Sequence, residues 1–225
     1  MIIGKDIVGD WDMFFEDIFD NKSVRANLNA LNQRYLKKHP KIYPEQKNVF
    51  RAFKECPYSK LSVVVILQDP YHDGNATGIG LANPEGSTSF SPSLRIVKDT
   101  ITRTVYNNHD FDFNPNLLNW ANQGILLINA ALTVEEGNPL SHMTLWARFT
   151  ELFLTKLSQV NCGLIYCLWG KEANRYSYLI NGETNTILRS SHPVSSIYRG
   201  IPWDCNHFVM INDQLKKFNN MSIIW

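Results

Sequence analysis

The chain has 225 residues, of which 44% are hydrophobic and 19% are charged, and its formal net charge is +1. This composition is typical of a globular domain with a buried core and excludes an intrinsically disordered chain. The near-neutral charge neither supports nor excludes a nucleic-acid partner, because a DNA-binding enzyme needs cations on one face alone.

Targeting signals and metal-binding motifs are missing from the sequence. Its apolar runs fall short of the roughly 20 residues of a membrane span, and residues 1–6 lack the features of a signal peptide. We therefore expect a soluble intracellular protein without a membrane partner, in the cytoplasm if the source is bacterial and in the nucleus or at a replication site if it is viral or eukaryotic. The four cysteines form no CxxC pair, so we expect free thiols and no metal or cofactor.

The first forty residues have helical periodicity. Apolar side chains recur at helical spacing from Trp11 to Phe19, and a second helix is expected over residues 24–38, ending before Pro40. Pro44 suits the first position of a third helix that runs to Phe53. We expect residues 1–40 to form a helical extension packed on the core of a domain at 41–225.

Four short apolar runs predict β-strands that are buried on both faces. They cover residues 63–67, 125–128, 164–169 and 186–188, and the helical stretches lie at 93–106, 145–157, 172–180 and 204–218. Strands that alternate with helices favour an α/β fold. We predict a single domain with a central four-stranded parallel sheet flanked by helices.

Polar residues follow the predicted strands. Asp69 comes after the first strand, Asn129 ends the second, Gly170 ends the third, and His192 follows the fourth. In an open parallel sheet, ligands bind beyond the carboxyl ends of the strands, so these residues are candidates for one site. Each also has a purely structural alternative: Asp69 as a turn cap, Asn129 as a partner of strand-end backbone groups, and His192 as a turn histidine.

At these residues the sequence resembles the family 1 uracil-DNA glycosylases. Five segments match in order, and weaker similarity runs from about residue 42 to about residue 218. The segments are Gln68-Asp-Pro-Tyr-His72, Ser91-Pro-Ser-Leu94, residues 120–134, Leu168-Trp-Gly170, and His192-Pro193 followed by Ile197-Tyr-Arg-Gly200.

The resemblance implies an enzyme that flips deoxyuridine out of single- or double-stranded DNA and hydrolyses its N-glycosidic bond. It implies that Asp69 faces the sugar and the attacking water and that His192 donates to uracil O2. Asn129 would read uracil O4 and N3–H, Tyr71 would exclude the methyl group of thymine, and Gln68 would frame the base through its backbone.

The same resemblance implies partners and DNA contacts. The partners are uracil-containing DNA and uracil-glycosylase inhibitor proteins, and we expect a monomer. Ser141 is expected to be a helix cap or a loop brace. The DNA-contacting residues implied are His72, Ser93, Gly170, Lys171, Ser191, Val194 and Ser196.

The sequence departs from the family at three places. Leu81 stands nearest to the position of a phenylalanine that stacks on uracil, and Phe90 is an alternative stacking residue. The loop after His192 is one residue short and lacks the family's wedge leucine, which leaves Val194, Ile197 or Tyr198 as the wedge. We therefore predict weaker insertion into duplexes and a stronger relative preference for single strands. Lys171 in the glycine loop either contacts phosphate or is simply solvated.

Three other functions remain open at this point. A glycosylase of mismatch or broad specificity is disfavoured by the bulk of Tyr71, and a non-catalytic DNA-binding module is disfavoured by the presence of Asp69, Asn129 and His192 together. An unrelated α/β enzyme acting on a free nucleotide is disfavoured because the chain has no GxxxxGK[ST] phosphate-binding motif.

Overall fold

The computed structural model describes residues 8–37, 39–87 and 89–225, so the expectation for residues 1–6 lies outside the described residues. The strands are β1 (Ile42–Tyr43), β2 (Val63–Leu67), β3 (Ile125–Asn129), β4 (Val134–Glu135), β5 (Ile165–Trp169) and β6 (Thr186–Ser190). The helices are α1 (Asp12–Asp20), α2 (Lys22–Lys37), α3 (Arg51–Glu55), α4 (Pro92–Thr104), α5 (Leu118–Asn122), α6 (Met143–Val160), α7 (Lys171–Asn174), α8 (Ser195–Arg199) and α9 (His207–Asn219).

The predicted central sheet is confirmed. Its strands are all parallel and lie in the order β3-β2-β5-β6. Leu67 is paired with Asn129, and Trp169 is paired with Ser190, so the carboxyl ends of the four strands meet at one edge. The polar residues that follow the strands are therefore brought to the same side of the molecule.

Both faces of the sheet are covered by helices, which explains the continuous apolar runs. Val64, Ile66 and Leu168 belong to one buried cluster with side chains of α1, α2, α3 and α6. Val65 and Cys167, one residue along the strands, belong to a second cluster with side chains of α4, α5 and α9. Successive strand residues point to opposite faces, so every position of the central strands β2 and β5 is apolar and buried. The expectation that the fourth run is buried on both faces is wrong, because β6 lies at the edge of the sheet and only Leu188 of its five residues is buried.

The N-terminal helices bury their aromatic side chains in the first of these clusters. Trp11 is fully buried and its indole N–H donates to the carbonyl of Cys56 at 2.8 Å. Phe14 and Phe15 pack on it, and Phe15 stacks on Phe149 of α6. Within the described residues, no helix is both long enough and apolar enough to span a membrane.

Three predicted helices differ from the observed ones. The helix expected from Pro44 is wrong, because Tyr43 pairs with Val134 in a small antiparallel β1–β4 sheet and the chain then makes a 3-10 turn before α3. The helix expected over residues 172–180 is split into α7 and a 3-10 turn. The last helix begins at His207 rather than near residue 204.

Candidate active site

A cavity of about 380 Å³ opens at the carboxyl ends of the strands. Three of the predicted site residues line it: Asp69 after β2, Asn129 at the end of β3, and His192 after β6. Gln68 and Tyr71 line it as well. The volume is in the range of pockets that hold a small ligand.

The Asp69 carboxylate is held at both oxygens. The side-chain amide of Gln68 donates to Oδ1 at 3.0 Å, and the backbone N–H of Leu140 donates to Oδ2 at 2.6 Å. Hydrogen bonds to an ionised acceptor are short and strong, so they fix the orientation of the group. Each oxygen keeps lone-pair capacity that can face the cavity.

The His192 ring is neutral and has a defined tautomer. Burial lowers its pKa, and the negative charge of Asp69 opposes that shift. The backbone N–H of Val194 donates to Nδ1 at 3.3 Å, so Nδ1 carries the lone pair and Nε2 carries the proton. The arrangement presents a neutral N–H donor to the cavity.

Gly170 sets the position of His192. Its φ is +100°, and a Cβ built on it would lie 3.0 Å from the Cβ of His192. A side chain at position 170 would therefore push the imidazole away, in addition to the strain of a left-handed backbone. Glycine follows β5 because the loop that carries the histidine passes directly against it.

The Asn129 side chain is half-buried at the end of β3 and lines the cavity. Its amide makes no hydrogen bond to another described residue. A carboxamide offers both a donor and an acceptor. The group is therefore available to pair with a ligand that presents a complementary edge.

Tyr71 is fixed by its hydroxyl, which is why its ring is a rigid wall of the cavity. The hydroxyl donates to the carbonyl of Leu81 at 3.0 Å and lies 2.5 Å from the Ser91 hydroxyl. The Ser91 hydroxyl in turn donates to Asn83 Oδ1 at 3.0 Å. Burial raises the pKa of Tyr71, so the hydroxyl stays protonated. The bracing roles of Ser91 and Asn83 were not predicted from the sequence.

The two candidate stacking residues are placed differently. Leu81 is buried, has a φ of +65° and lines the cavity. Phe90 is not among the residues that line it, and its ring packs on Phe113 with a centroid distance of 5.7 Å. The structure therefore gives Phe90 a packing role, and Leu81 is the residue that covers the cavity.

The predicted DNA-contacting residues fall into three groups. His72, Ser93 and Val194 line the cavity, while Gly170 and Lys171 stand at the start of α7. The Ser191 hydroxyl accepts a hydrogen bond from Arg199 at 2.8 Å.

Ser196, which is expected to contact DNA, makes its hydrogen bonds inside its own turn. Its hydroxyl and its backbone N–H both donate to the carbonyl of Pro193, at 2.9 and 3.1 Å, and the residue is buried. These donors are already used inside the turn, so Ser196 stabilises the loop rather than facing outward.

The wedge position is on an exposed surface. Tyr198 is 84% exposed and also lines the cavity, while Ile197 and Ile201 are 55% and 53% exposed. Val194 is half-buried. Of the three candidates, Tyr198 is the large side chain that reaches from the cavity into solvent.

The four cysteines lie outside the cavity lining. Cys56, Cys162, Cys167 and Cys205 are free, and burial raises the pKa of Cys56 to about 12. Within the described residues, no group of three or more histidines, cysteines, aspartates or glutamates could hold a metal ion.

Comparison with known proteins gives one family. Residues 53–216 match the model of the "Uracil DNA glycosylase superfamily". The chain is 37% identical to the uracil-DNA glycosylase of Psychromonas ingrahamii over 204 residues. This match covers 88% of this chain and 93% of that protein. It is 33% identical over 226 residues to that of Campylobacter jejuni, which covers 96% of this chain and 92% of that protein.

Solved structures agree on the fold. The crystal structure of mimivirus uracil-DNA glycosylase matches with a TM-score of 0.85 at 22% identity and covers 100% of this chain and 87% of that one. A mimivirus variant in complex with UGI matches with a TM-score of 0.86 at 22% identity, covering 99% and 91%. These matches support the α/β fold, and the sequence relatives decide against a free-nucleotide enzyme and a non-catalytic module.

Proposed function

Because the chain belongs to the uracil DNA glycosylase superfamily, we propose that the cavity at the strand ends is its catalytic centre. The reaction is hydrolysis of the N-glycosidic bond of deoxyuridine in DNA, a step of base excision repair that releases uracil and leaves an abasic site. The observation that carries the proposal is the convergence of Asp69, Asn129 and His192 on one cavity from three strand ends. Within the superfamily we propose family 1, on the five ordered motifs of the sequence.

Asp69 acts on the sugar side of the bond. When C1′–N1 breaks, its electron pair leaves with uracil and the sugar gains cationic character. A fixed carboxylate stabilises that charge and accepts the proton of the water that attacks C1′. The bonds from Gln68 and Leu140 support this role because they hold the carboxylate in place before the reaction.

His192 acts on the leaving group. The Nε2–H donor of the neutral ring stabilises the negative charge that develops on uracil O2. Since the bond from Val194 fixes the tautomer, the donor needs no rearrangement at the moment of reaction. Uracil leaves as an anion and finally takes the proton that Asp69 accepted from the water, which regenerates the carboxylate, so one carboxylate is enough.

Asn129 and Tyr71 select the base. The Asn129 amide donates to O4 and accepts from N3–H, a pattern that uracil presents and cytosine does not. The Tyr71 ring excludes the 5-methyl group of thymine, and its locked hydroxyl leaves little room for the ring to yield. This rigidity disfavours broad specificity. Leu81 covers the ring by apolar contact, and Gln68 frames its edge through the backbone.

DNA is held at the cavity mouth. No side chain caps the first turn of α4, so the backbone N–H of Ser93 in that turn suits a phosphate. The DNA backbone is contacted on either side by His72, Lys171, Ser191 and Gly170, the residue before α7. Val194 lines the cavity mouth. Tyr198 enters the base stack when the nucleotide is flipped, because it is exposed and adjoins the cavity.

The proposal extends to partners, location and domain limits. We propose a monomer that is bound by inhibitor proteins such as the UGI seen with the mimivirus variant. The relatives from Psychromonas ingrahamii and Campylobacter jejuni are bacterial proteins, which supports the cytoplasm as its location. Residues 1–40 are proposed as a helical extension and residues 41–225 as the glycosylase domain, although the extension buries Trp11 and Phe15 in the shared core.

One assay tests the catalytic assignment. A uracil-containing oligonucleotide is incubated with the protein without added metal, and abasic sites are cleaved with alkali. We expect Asp69→Asn and His192→Ala each to lower the single-turnover rate by about a hundredfold to a thousandfold, the scale of a lost preorganised electrostatic group.

The matched control is His109→Ala, at an exposed residue outside the cavity lining, which should keep the wild-type rate. Wild-type rates in both Asp69→Asn and His192→Ala would overturn the catalytic assignment.

A further inference from the structure

We propose that Ser141 is a positioning residue for catalysis, because its hydroxyl closes the turn that holds the Leu140 N–H against Asp69. The proposal rests on the catalytic role proposed for Asp69. It concerns the loop from Glu135 to Ser141, which we call the aspartate-holding loop. Three features of this loop support the proposal: a backbone donor, a serine hydroxyl and the contacts that fix both ends of the loop.

The Leu140 N–H donates the shorter of the two hydrogen bonds to the Asp69 carboxylate, at 2.6 Å to Oδ2. Leu140 has a φ of +68°, a left-handed conformation that is uncommon for leucine. Leu140 is 45% exposed, so burial of its side chain does not hold the backbone in this left-handed conformation. The surrounding loop must therefore keep the N–H pointed at Asp69.

Ser141 closes this loop. Its hydroxyl oxygen accepts the backbone N–H of Glu135 at 2.9 Å, which ties the two ends of the loop together. Inside the loop, the N–H of Asn138 donates to the Glu135 carbonyl at 3.1 Å, and the N–H of Ser141 donates to the Asn138 carbonyl at 3.3 Å. The tie at Ser141 lies next to Leu140, so releasing it frees the backbone at that donor.

Two more contacts tie the loop to the rest of the molecule. The N–H of Gly137 donates to the carbonyl of His72 at 3.0 Å, and the N–H of Glu136 donates to the carbonyl of Lys41 at 2.8 Å. The first contact holds the far side of the loop against the segment that follows Asp69, and the second holds it against the residue before β1. The loop tip and the carboxylate are thereby kept in a fixed relation.

The N-terminal helix α2 braces the base of the loop. Arg34 Nη1 lies 3.3 Å from Glu135 Oε1 and 3.2 Å from His142 Nε2, so it contacts both ends. His142 is buried and its Nδ1 lies 2.8 Å from the Thr133 hydroxyl, which also accepts the indole N–H of Trp146. Because Arg34 is half exposed, its brace is weaker than that of Ser141.

The chemical consequence is a loss of orientation at Asp69. Without the Leu140 donor, the Gln68 amide still holds Oδ1, so the carboxylate stays in the site but can rotate. The groups that bind the base and the phosphates are untouched. Ser141 therefore contributes to the rate of the chemical step and leaves substrate binding nearly unchanged.

The sharpest probe replaces Leu140 by its α-hydroxy acid, which turns one amide into an ester and removes the N–H donor while it keeps every side chain. We expect the single-turnover rate on a uracil oligonucleotide to fall by about ten- to a hundredfold. Binding of an oligonucleotide carrying uncleavable 2′-fluorodeoxyuridine should change by less than about twofold. A wild-type rate in the ester protein would overturn the proposal.

Side-chain variants test Ser141 itself. Ser141→Ala should lower the rate constant about tenfold without raising the apparent KM, and Ser141→Thr, which keeps the hydroxyl, should restore it to within about threefold. Ser59→Ala is the matched control, since it removes a serine hydroxyl bond of 3.2 Å to Asp10, outside the cavity lining. An equal loss in the alanine and threonine variants, or an unchanged rate in Ser141→Ala, would overturn the proposal.

A double-variant cycle separates positioning from a general structural effect. In an Asp69→Asn background, Ser141→Ala should cost less than about twofold, because the charge that it orients is gone. The same tenfold loss in both backgrounds would assign Ser141 a structural role and overturn the proposal. If Asp69→Asn alone kept the wild-type rate, the proposed function of Asp69 would fail instead, so the two failures are distinguishable.

Discussion

The edge of the parallel sheet and the loop at 193–201 do different work in this protein. At the sheet edge, Asp69 and His192 are partly buried and each accepts a hydrogen bond from a backbone N–H group, at 2.6 Å from Leu140 and at 3.3 Å from Val194. In the loop, Tyr198 and Ile197 extend into solvent. The difference indicates that the chemistry is preorganised, while the groups that enter DNA gain their contacts when DNA arrives. Substitutions at the sheet edge should therefore alter the rate on every substrate. The effect of substitutions in the loop on the rate should depend on whether the substrate is single-stranded or duplex DNA.

The largest expected effect in this comparison is at Asn129. Asn129→Ala leaves the polar edge of uracil unpaired inside the cavity, so the single-turnover rate should fall by about a hundredfold or more on single strands and duplexes alike. Single-turnover assays on both substrates measure it. A loss confined to duplexes would place Asn129 with the DNA-holding groups and break the comparison.

Tyr71→Ala should change specificity more than rate. Removing the ring opens space for a 5-methyl group, so the ratio of thymine to uracil excision should rise at least about tenfold, the scale of one methyl group in a pocket. Competition between thymine- and uracil-containing oligonucleotides measures the ratio. Tyr71→Phe is the control, because it keeps the ring and removes the bonds to Leu81 and Ser91; it should raise the ratio less. An unchanged ratio in Tyr71→Ala would show that another group excludes thymine.

Tyr198→Ala should affect duplexes selectively. Without a side chain to fill the gap left by the flipped base, the rate on duplex DNA should fall about tenfold, while the rate on single strands should stay within about twofold. The wild-type protein itself should favour single strands. Val194→Ala is the companion variant, since the half-buried Val194 should show no such selectivity. Equal losses on both substrates would assign Tyr198 to the catalytic edge.

The smallest expected effect is on the pH dependence of stability. Burial lowers the pKa of His142, His192 and His207 below 6.5, with the charge of Arg34 adding to the shift at His142. The unfolded chain therefore binds protons first, so the free energy of unfolding should be full above about pH 6.5 and should fall as the pH drops towards the folded-state values.

Denaturant unfolding at pH 7.5, 6.5 and 5.5 measures this dependence. His207→Gln should flatten it, whereas the exposed His109→Gln should leave it unchanged. A free energy of unfolding that rises on acidification would contradict the sign.

The same contrast explains what the sequence could predict. Asp69, Asn129 and His192 could be predicted as site residues because they lie at or just after the ends of predicted strands, and continuous apolar runs mark such strands clearly. The role of the aspartate-holding loop could not be predicted in the same way. Its main donor is the backbone N–H of Leu140, and every residue except proline has such a group, so the residue type does not reveal it. The pairing of Tyr43 with Val134, which replaced the helix predicted from Pro44, joins residues far apart in sequence and is equally hidden.

The most direct test of the central claim is a crystal structure with an oligonucleotide that carries uncleavable 2′-fluorodeoxyuridine. The account predicts the flipped base between Asn129 and Tyr71, with His192 Nε2 within about 3.2 Å of uracil O2. Asp69 should still accept the Leu140 N–H, and Tyr198 should lie in the duplex gap. A uracil bound away from the strand ends, or a His192 ring turned so that Nδ1 faces the base, would contradict it.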